Sequence, residues 1–148
     1  MSEQESVRTG ERDDLQQSAP ALTTSAATVE WIALTLECGD ARALAEFWAA
    51  VLGGQLMREE TQLAAAGLTF AFHEDPAYEP PTWPSPEVPL QAHLEVVVTD
   101  LEAEVERTSG LGAAVHSHQD PDDPDYVVML DPAGHPFCLI RSSAASRG

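Results

Sequence analysis

The sequence predicts an α+β fold built from two similar halves that follow a polar N-terminal segment. Each half has an alternating apolar and polar stretch typical of a half-buried strand, then an aspartate suited to cap a helix, then a helical apolar pattern that ends in Leu-Gly. Aligning Asp40 with Asp100 gives an offset of 60 residues, and aligning Gly53 with Gly112 gives 59. A repeat of this length indicates a duplicated supersecondary unit.

The predicted domain spans residues 29–141. Residues 1–28 contain only scattered apolar side chains without a sustained period, so we expect them to form a disordered tail. The last residues, 142–148, have the same character. A hydrophobic content of 43% is near the globular average, so we expect the region between the two tails to fold.

The first half, about residues 29–73, begins with the stretch WIALTLEC, whose alternation predicts a strand with Thr35 and Glu37 on its polar face. Asp40 is placed to cap the next helix, whose apolar residues recur at helical spacing and put the Phe-Trp pair at 47–48 in the core. Short strands are then predicted at residues 55–59, 62–65 and 68–73.

Residues 74–89 contain six prolines and are predicted to be an extended connector, because proline cannot donate to a strand ladder. The second half, about residues 90–141, repeats the first. In AHLEVVV, His93 and Glu95 alternate with leucine and valine, and Asp100 precedes the helix LEAEVERTSG. YVVML and PFCLI are the closing strands. We expect two curved sheets whose convex faces carry the helices and whose concave faces enclose a pocket.

The charge restricts the partners. There are 25 acidic residues against seven arginines and no lysine, a formal net charge of −18. This field repels nucleic acid and anionic membranes, so neither is an expected partner, and it attracts cationic ligands. Acidity alone also keeps a protein soluble.

We expect a cytoplasmic location. The sequence has neither a secretory signal pattern nor a long apolar run of roughly 18 residues. Its only cysteines, Cys38 and Cys138, are therefore expected to be buried free thiols.

Three stretches resemble the glyoxalase-like branch of the vicinal oxygen chelate superfamily, the glyoxalase, bleomycin resistance and extradiol dioxygenase group. They are ECGDARALAEFWAAVLGG, PPTWPSPEVPLQAHLEVVVTDLEAEV and LGAAVHSHQDP followed by VVMLDPAGHPFCLI. The TWP stretch shortly before AHLEVVVTDL and the DPAGHPFC ending are the most specific. The resemblance implies paired βαβββ modules around a cup-shaped site, and a homodimer. Members include metal-dependent lyases, isomerases and dioxygenases, and metal-free proteins that sequester antibiotics such as bleomycin.

The resemblance also identifies the positions that hold metal in metal-using members. The matching residues here are Ala33, Ala71, His93 and Cys138. Alanine has no donor atom, so we predict no complete metal site and no cofactor. The alternative is a rebuilt site for Zn, Ni, Mn or Fe, formed by His73, His93, Glu95 and Cys138.

The predicted function is therefore the binding of a small organic molecule, with metal-dependent lyase, isomerase or dioxygenase chemistry as the alternative. Side-chain alternation directs a set of polar residues into the predicted pocket. The predicted pocket residues are His93, Glu95, His73, Cys138, Glu37, Thr35 and Trp83. Trp83 stands on the stiff connector and could stack on a planar or cationic ligand, or pack between the two halves. No catalytic residue can be identified, and Cys138 would need a lowered pKa to act as a nucleophile.

Three further histidines are given no functional role by the sequence. His116 and His118 lie in HSHQDPDDPD, a loop rich in aspartate and proline that we expect to be solvated. His135 follows a turn glycine and is expected to be exposed.

Overall fold

A computed structural model of the chain describes residues 28–143, and no helix in that range is long and apolar enough to cross a membrane. The predicted tails, residues 1–28 and 142–148, lie almost wholly outside the described residues. Residues 28–31 are exposed and irregular and belong to an N-terminal unit that ends at Trp31. A second unit begins at Ile32, and it contains all the helices and strands described here.

Module one forms one helix and a four-stranded sheet. Its elements are β1 (Ala33–Cys38), α1 (Ala41–Leu52), β2 (Gln55–Met57), β3 (Gln62–Ala65) and β4 (Leu68–Glu74). The strands lie in the order β1-β4-β3-β2. β1 and β4 are parallel, and the remaining pairs are antiparallel.

Module two repeats this arrangement. Its elements are β5 (Leu94–Val98), α2 (Leu101–Leu111), β6 (Ala114–Val115), β7 (Tyr126–Leu130) and β8 (Pro136–Arg141). The strands lie in the order β5-β8-β7-β6, again with a parallel first pair. Each module is therefore a βαβββ unit, as the 60-residue offset in the sequence predicts.

Both helices begin as predicted. The Asp40 carboxylate accepts a hydrogen bond from the Ala43 amide at 2.9 Å, and the Asp100 carboxylate accepts one from the Ala103 amide at 3.0 Å. Each bond satisfies an amide that has no partner inside the helix. Gly53 ends α1 with a φ of 63°, in the region that glycine adopts without a Cβ clash.

Two strand predictions are corrected. β2 ends at Met57 instead of continuing to Glu59, because residues 58–60 turn with φ values of 46°, 56° and 64°. Backbone in this left-handed region cannot continue a strand. β6 was not predicted, since two residues are too short to show alternation.

The core lies between the helices and the sheets, and an aromatic cluster joins the modules. Trp48 of α1 is 1% exposed, and its ring lies 5.0 Å from the ring of Phe137 in β8, centroid to centroid. Phe47 packs edge-on against Trp48 at 5.3 Å. Both aromatic residues are buried, as the helical spacing predicts.

Each sheet has a helix-packed face and an opposite face, called here the inner face. In module one the helix-packed face includes Phe70 and Phe72, which are buried. In module two the corresponding residues are Phe137 and Leu139. Because side chains alternate along a strand, the polar residues between these positions point to the inner faces.

Candidate ligand-binding cavity

A cavity of about 440 Å³ lies on the inner face of the module two sheet. Its size is within the roughly 300–1,000 Å³ typical of sites for small organic molecules. It is lined by Trp83, Leu90, His93, Glu95, Asp123, Asp125, Tyr126, Val128, Pro136, Cys138 and Ile140. Most of these side chains are apolar or aromatic, so the cavity offers extensive contact to a ligand with an apolar body.

The floor of the cavity is formed by side chains of the adjacent strands β5, β8 and β7. Cys138 in β8 is paired with Glu95 in β5 on one side and with Val128 in β7 on the other. Tyr126 lies opposite Ile140 in the same β7–β8 pair. Directly paired residues share a sheet face, so these five side chains all point to the inner face.

The polar corner of the cavity is a histidine–carboxylate pair. His93 immediately precedes β5, and its Nε2 lies 3.5 Å from Oε1 of Glu95. The spacing of two residues on an extended chain places both side chains on one face. The predicted inward orientation of His93 and Glu95 agrees with their position in the cavity lining.

Trp83 covers one side of the cavity and is held by the loop between β6 and β7. Its backbone carbonyl lies 3.1 Å from Nε2 of His116, and its ring lies 5.3 Å from that of His116 and 5.1 Å from that of His118. The His118 amide donates to Nδ1 of His116 at 2.9 Å, so the proton of the neutral His116 ring is on Nε2, which donates to Trp83. These contacts correct the prediction that the loop is merely solvated.

The connector is also fixed to module two by Tyr78. Its hydroxyl donates to the Ala133 carbonyl at 2.9 Å, and its ring lies 5.3 Å from that of His135. Burial and the nearby Asp131 carboxylate raise the pKa of Tyr78 to about 12. The phenol therefore stays protonated at neutral pH and keeps its hydrogen bond.

Cys138 is a weak nucleophile in this setting. Burial raises the pKa of its thiol above the ordinary value, and the Glu95 carboxylate raises it further. A reactive cysteine needs the opposite shift, because the thiolate is the attacking species. Cys38 is fully buried, and burial likewise raises the pKa of its thiol. Both cysteines are free thiols.

The other three predicted pocket residues do not line this cavity. Thr35, Glu37 and His73 are exposed and lie on the inner face of the module one sheet. Nδ1 of His73 lies 2.5 Å from a carboxylate oxygen of Glu37, and this hydrogen bond raises the pKa of His73. The seven predicted pocket residues therefore do not form one site. The cavity lies on the module two inner face, where the connector residues Trp83 and Leu90 and the Asp123–Asp125 turn complete its lining.

The donors present do not fit the metal site of metal-using relatives. Ala71 pairs with Thr35 on the module one sheet, so a methyl group occupies one matched position there. In the alternative set, His73 is exposed on the module one sheet, whereas His93, Glu95 and Cys138 line the module two cavity without it. Within residues 28–143, no group of three or more His, Cys, Asp or Glu side chains is arranged to hold a metal ion.

Several lining residues were not predicted. Tyr126 and Val128 could have been found from the sequence, because they alternate on β7 in the same way as Cys138 does on β8. Asp123 and Asp125 have no such signal, since they lie in an irregular loop between β6 and β7 whose path is set by tertiary contacts.

A smaller cavity of about 100 Å³ lies where the modules meet, between β1, α1 and the start of β8. Beside it, the buried Asp131 carboxylate accepts hydrogen bonds from the Trp48 indole at 3.1 Å and from the His135 ring at 2.8 Å. His135 is therefore not exposed as predicted, since only 17% of its side chain is accessible. The partners satisfy a carboxylate that would be costly to bury alone.

Two βαβββ modules with a ligand-sized cavity are the features expected of a glyoxalase-like protein, and comparison with known proteins agrees with this class. A family model described as a glyoxalase-like domain matches residues 33–140. The chain thus belongs to the glyoxalase-like domain family, within the vicinal oxygen chelate superfamily. No curated protein matches the sequence.

Solved structures share the fold at low sequence identity. The fosfomycin resistance protein FosX from Listeria monocytogenes is 15% identical, with a TM-score of 0.59 over 82% of this chain and 100% of that one. A glyoxalase/bleomycin resistance protein/dioxygenase family enzyme from Burkholderia phytofirmans is 18% identical, with a TM-score of 0.57 over 74% and 95% of the two chains. FosX from Mesorhizobium loti is 14% identical, with a TM-score of 0.56 over 80% and 98%.

Proposed function

We propose that this protein binds a small organic molecule in the module two cavity without a complete catalytic metal site. The observation that supports this most strongly is the cavity itself, about 440 Å³ of mostly apolar and aromatic lining with His93 and Glu95 at one corner. Such a combination provides contact area from the walls and orientation from a few polar groups.

The chemistry of the lining favours binding over catalysis. The Cys138 thiol, whose pKa is raised, is poorly suited to nucleophilic attack. Two of the four positions that match metal ligands in relatives carry alanine. His93 and Glu95 remain as two neighbouring polar groups, 3.5 Å apart, that can orient a ligand.

Metal-dependent catalysis is the competing function. One structure of the Listeria fosfomycin resistance protein contains Mn(II) together with 1S,2S-dihydroxypropylphosphonic acid. Three of the four residues of the rebuilt set, His93, Glu95 and Cys138, line the cavity here. An enzyme would need a metal held by these residues, and its presence can be measured directly.

The deciding experiment combines metal analysis with a matched pair of histidine variants. We expect protein purified without added metal to contain Zn, Ni, Mn or Fe well below one equivalent. A small-molecule library is then screened by calorimetry. For a hit, His93→Ala should weaken binding by about tenfold, the loss of roughly 1.4 kcal/mol expected for one polar contact. His73→Ala removes the other glutamate-paired histidine, outside the cavity, and should leave affinity unchanged.

Two results would contradict this function. Stoichiometric metal that disappears in His93→Ala would favour the enzyme. Equal affinity of wild type and His93→Ala for every hit would show that ligands bind elsewhere.

We also propose that the protein is a cytoplasmic homodimer. Ile32, just before β1, and Val97 in β5 are 76% and 64% exposed, and β1 and β5 are edge strands of their sheets. Apolar side chains beside open strand edges favour pairing with a second copy. The free cysteines suit a reducing compartment. Light scattering at micromolar concentration should give twice the chain mass, and a monomer mass would exclude the dimer.

A further inference from the structure

We infer that the ligand of the module two cavity is an organic cation with a flat aromatic body. The inference rests on the proposed binding function and adds the charge and shape of the ligand. Three features of the cavity carry it: the sign of the ionisable groups that line it, two aromatic walls, and the way in which Trp83 is held.

The cavity lining has three carboxylate side chains and no permanently charged cation. Glu95, Asp123 and Asp125 line the cavity, and no arginine does, in a chain without lysine. Arg141 approaches the rim, with its Nε 3.4 Å from Asp125, but its guanidinium is also paired with Glu102 at 2.6 Å. One shared cation does not balance the carboxylates, so the cavity has a negative potential.

His93 is the one histidine of the lining, 3.5 Å from Glu95, and a single imidazolium there would not balance the carboxylates of Glu95, Asp123 and Asp125. The phenol and the thiol on the floor add no positive charge. Burial raises the pKa of the Tyr126 phenol, and the carboxylates of Asp120 and Asp123 raise it further. Burial and Glu95 do the same for the Cys138 thiol. Both groups are neutral at physiological pH. A ligand amine or ring nitrogen would therefore meet an excess of carboxylates, whereas an anion would be repelled.

Trp83 and Tyr126 provide aromatic faces for a cation. Tryptophan is the best partner for cation–π contacts, which strengthen when the cation is shielded from water. Trp83 is pre-positioned by the His116 hydrogen bond to its carbonyl and by the rings of both loop histidines. A side chain ordered before binding loses less entropy on binding. Leu90, Val128 and Ile140 provide apolar contact for the body of the ligand.

The test uses three probes of similar size and different charge at pH 8: the cation N-methylacridinium, neutral acridine and anionic acridine-9-carboxylate. Fluorescence titration should give at least about tenfold tighter binding of the cation than of acridine, as expected for one favourable charge contact in a partly shielded site. The carboxylate should not bind measurably. The preference should fall as NaCl is raised, because salt screens the interaction.

Variants separate the local charge from the net charge. Replacing Glu95 with Gln and both Asp123 and Asp125 with Asn should abolish the preference for the cation over neutral acridine. The matched control changes three exposed acids outside the cavity to Gln, namely Glu59, Glu74 and Glu106. It removes the same net charge and should retain most of the preference. Trp83→Ala should weaken the binding of both N-methylacridinium and acridine.

The outcomes distinguish this inference from the proposed function. If acridine or its carboxylate binds as tightly as the cation, and Trp83→Ala weakens that binding, the cavity binds ligands but the charge inference is wrong. If the control variant loses the preference as fully as the cavity variant, the effect comes from net charge and the inference is also wrong. If none of the three probes binds, the inference is wrong, whereas the proposed function is still decided by the library screen with His93→Ala.

Discussion

The two modules have the same order of elements and strands but different inner faces. The strand orders correspond position by position, and the capping hydrogen bonds at Asp40 and Asp100 are almost equal in length. On the module two inner face, Glu95 and Cys138 lie in a cavity. At the corresponding strands of module one, Glu37 and His73 are exposed and pair with each other.

This difference originates outside the repeated elements. The connector contributes Trp83, and the long β6–β7 loop contributes His116, His118 and two lining aspartates. The corresponding link in module one, between β2 and β3, is only the turn at residues 58–61. The repeat therefore provides two scaffolds of the same topology, and the unequal connecting segments make one of them a candidate binding site.

The first way to test the comparison is to remove the residue through which module one packs on module two. Trp48→Ala should lower the free energy of unfolding by about 3–5 kcal/mol, the usual cost of deleting a large buried aromatic side chain. It also leaves the buried Asp131 carboxylate with one fewer donor. Trp83→Ala is the control, because that half-buried side chain covers a cavity and its loss should cost clearly less. Chemical denaturation that finds Trp48→Ala within about 0.5 kcal/mol of wild type would contradict a core position.

The equivalence of the two scaffolds can be tested at the helix caps. Asp40→Ala and Asp100→Ala should each destabilise by about 1 kcal/mol, because each leaves a helix amide without its acceptor. Asparagine at either position keeps an acceptor oxygen and should recover most of the loss. A cost at only one of the caps, measured by denaturant midpoints, would show that the modules are not equivalent in energy.

The features that depend on local sequence pattern could be predicted from the sequence. The caps, both helices, the repeat and the inward orientation of His93 and Glu95 follow from spacing alone, and the structure has each of them. The features that depend on contacts between distant segments could not be predicted in this way. His116 became a partner of Trp83 because two loops meet, and their sequence separation of 33 residues leaves no periodic signal.

Contacts between distant segments also explain why three of the predicted pocket residues lie outside the cavity. Alternation gives the face of a sheet on which His73 lies, but it does not determine which segments cover that face. His135 shows the limit in another way. Its exposure was inferred from a position after a turn, whereas a buried acid four residues earlier holds the ring.

Cys138 offers a chemical test of the cavity environment. Iodoacetamide at pH 8 should modify it more slowly than a cysteine in an unfolded peptide, because burial and Glu95 raise the thiol pKa and reduce the thiolate fraction. Glu95→Gln removes the second cause and should speed the reaction. Peptide mass mapping separates Cys138 from the fully buried Cys38. Modification faster than that of the free peptide would indicate an activated nucleophile and would favour the enzyme.

The smallest expected effect concerns the exposed pair on module one, and it tests whether that face behaves as an open surface. His73 and Glu37 are hydrogen-bonded, and the bond raises the pKa of His73 above the ordinary value of about 6.5. An NMR titration should show this increase, and Glu37→Gln should remove it.

The raised pKa of His73 means that the folded state binds the proton more tightly than the unfolded state. The pair therefore adds stability below the unfolded pKa, and this contribution is lost as the pH rises through the folded value. Because both side chains are more than half exposed, added salt should reduce the pKa increase. A pKa that resists salt would show instead that this inner face is covered in solution, as it would be if a second copy packed against it.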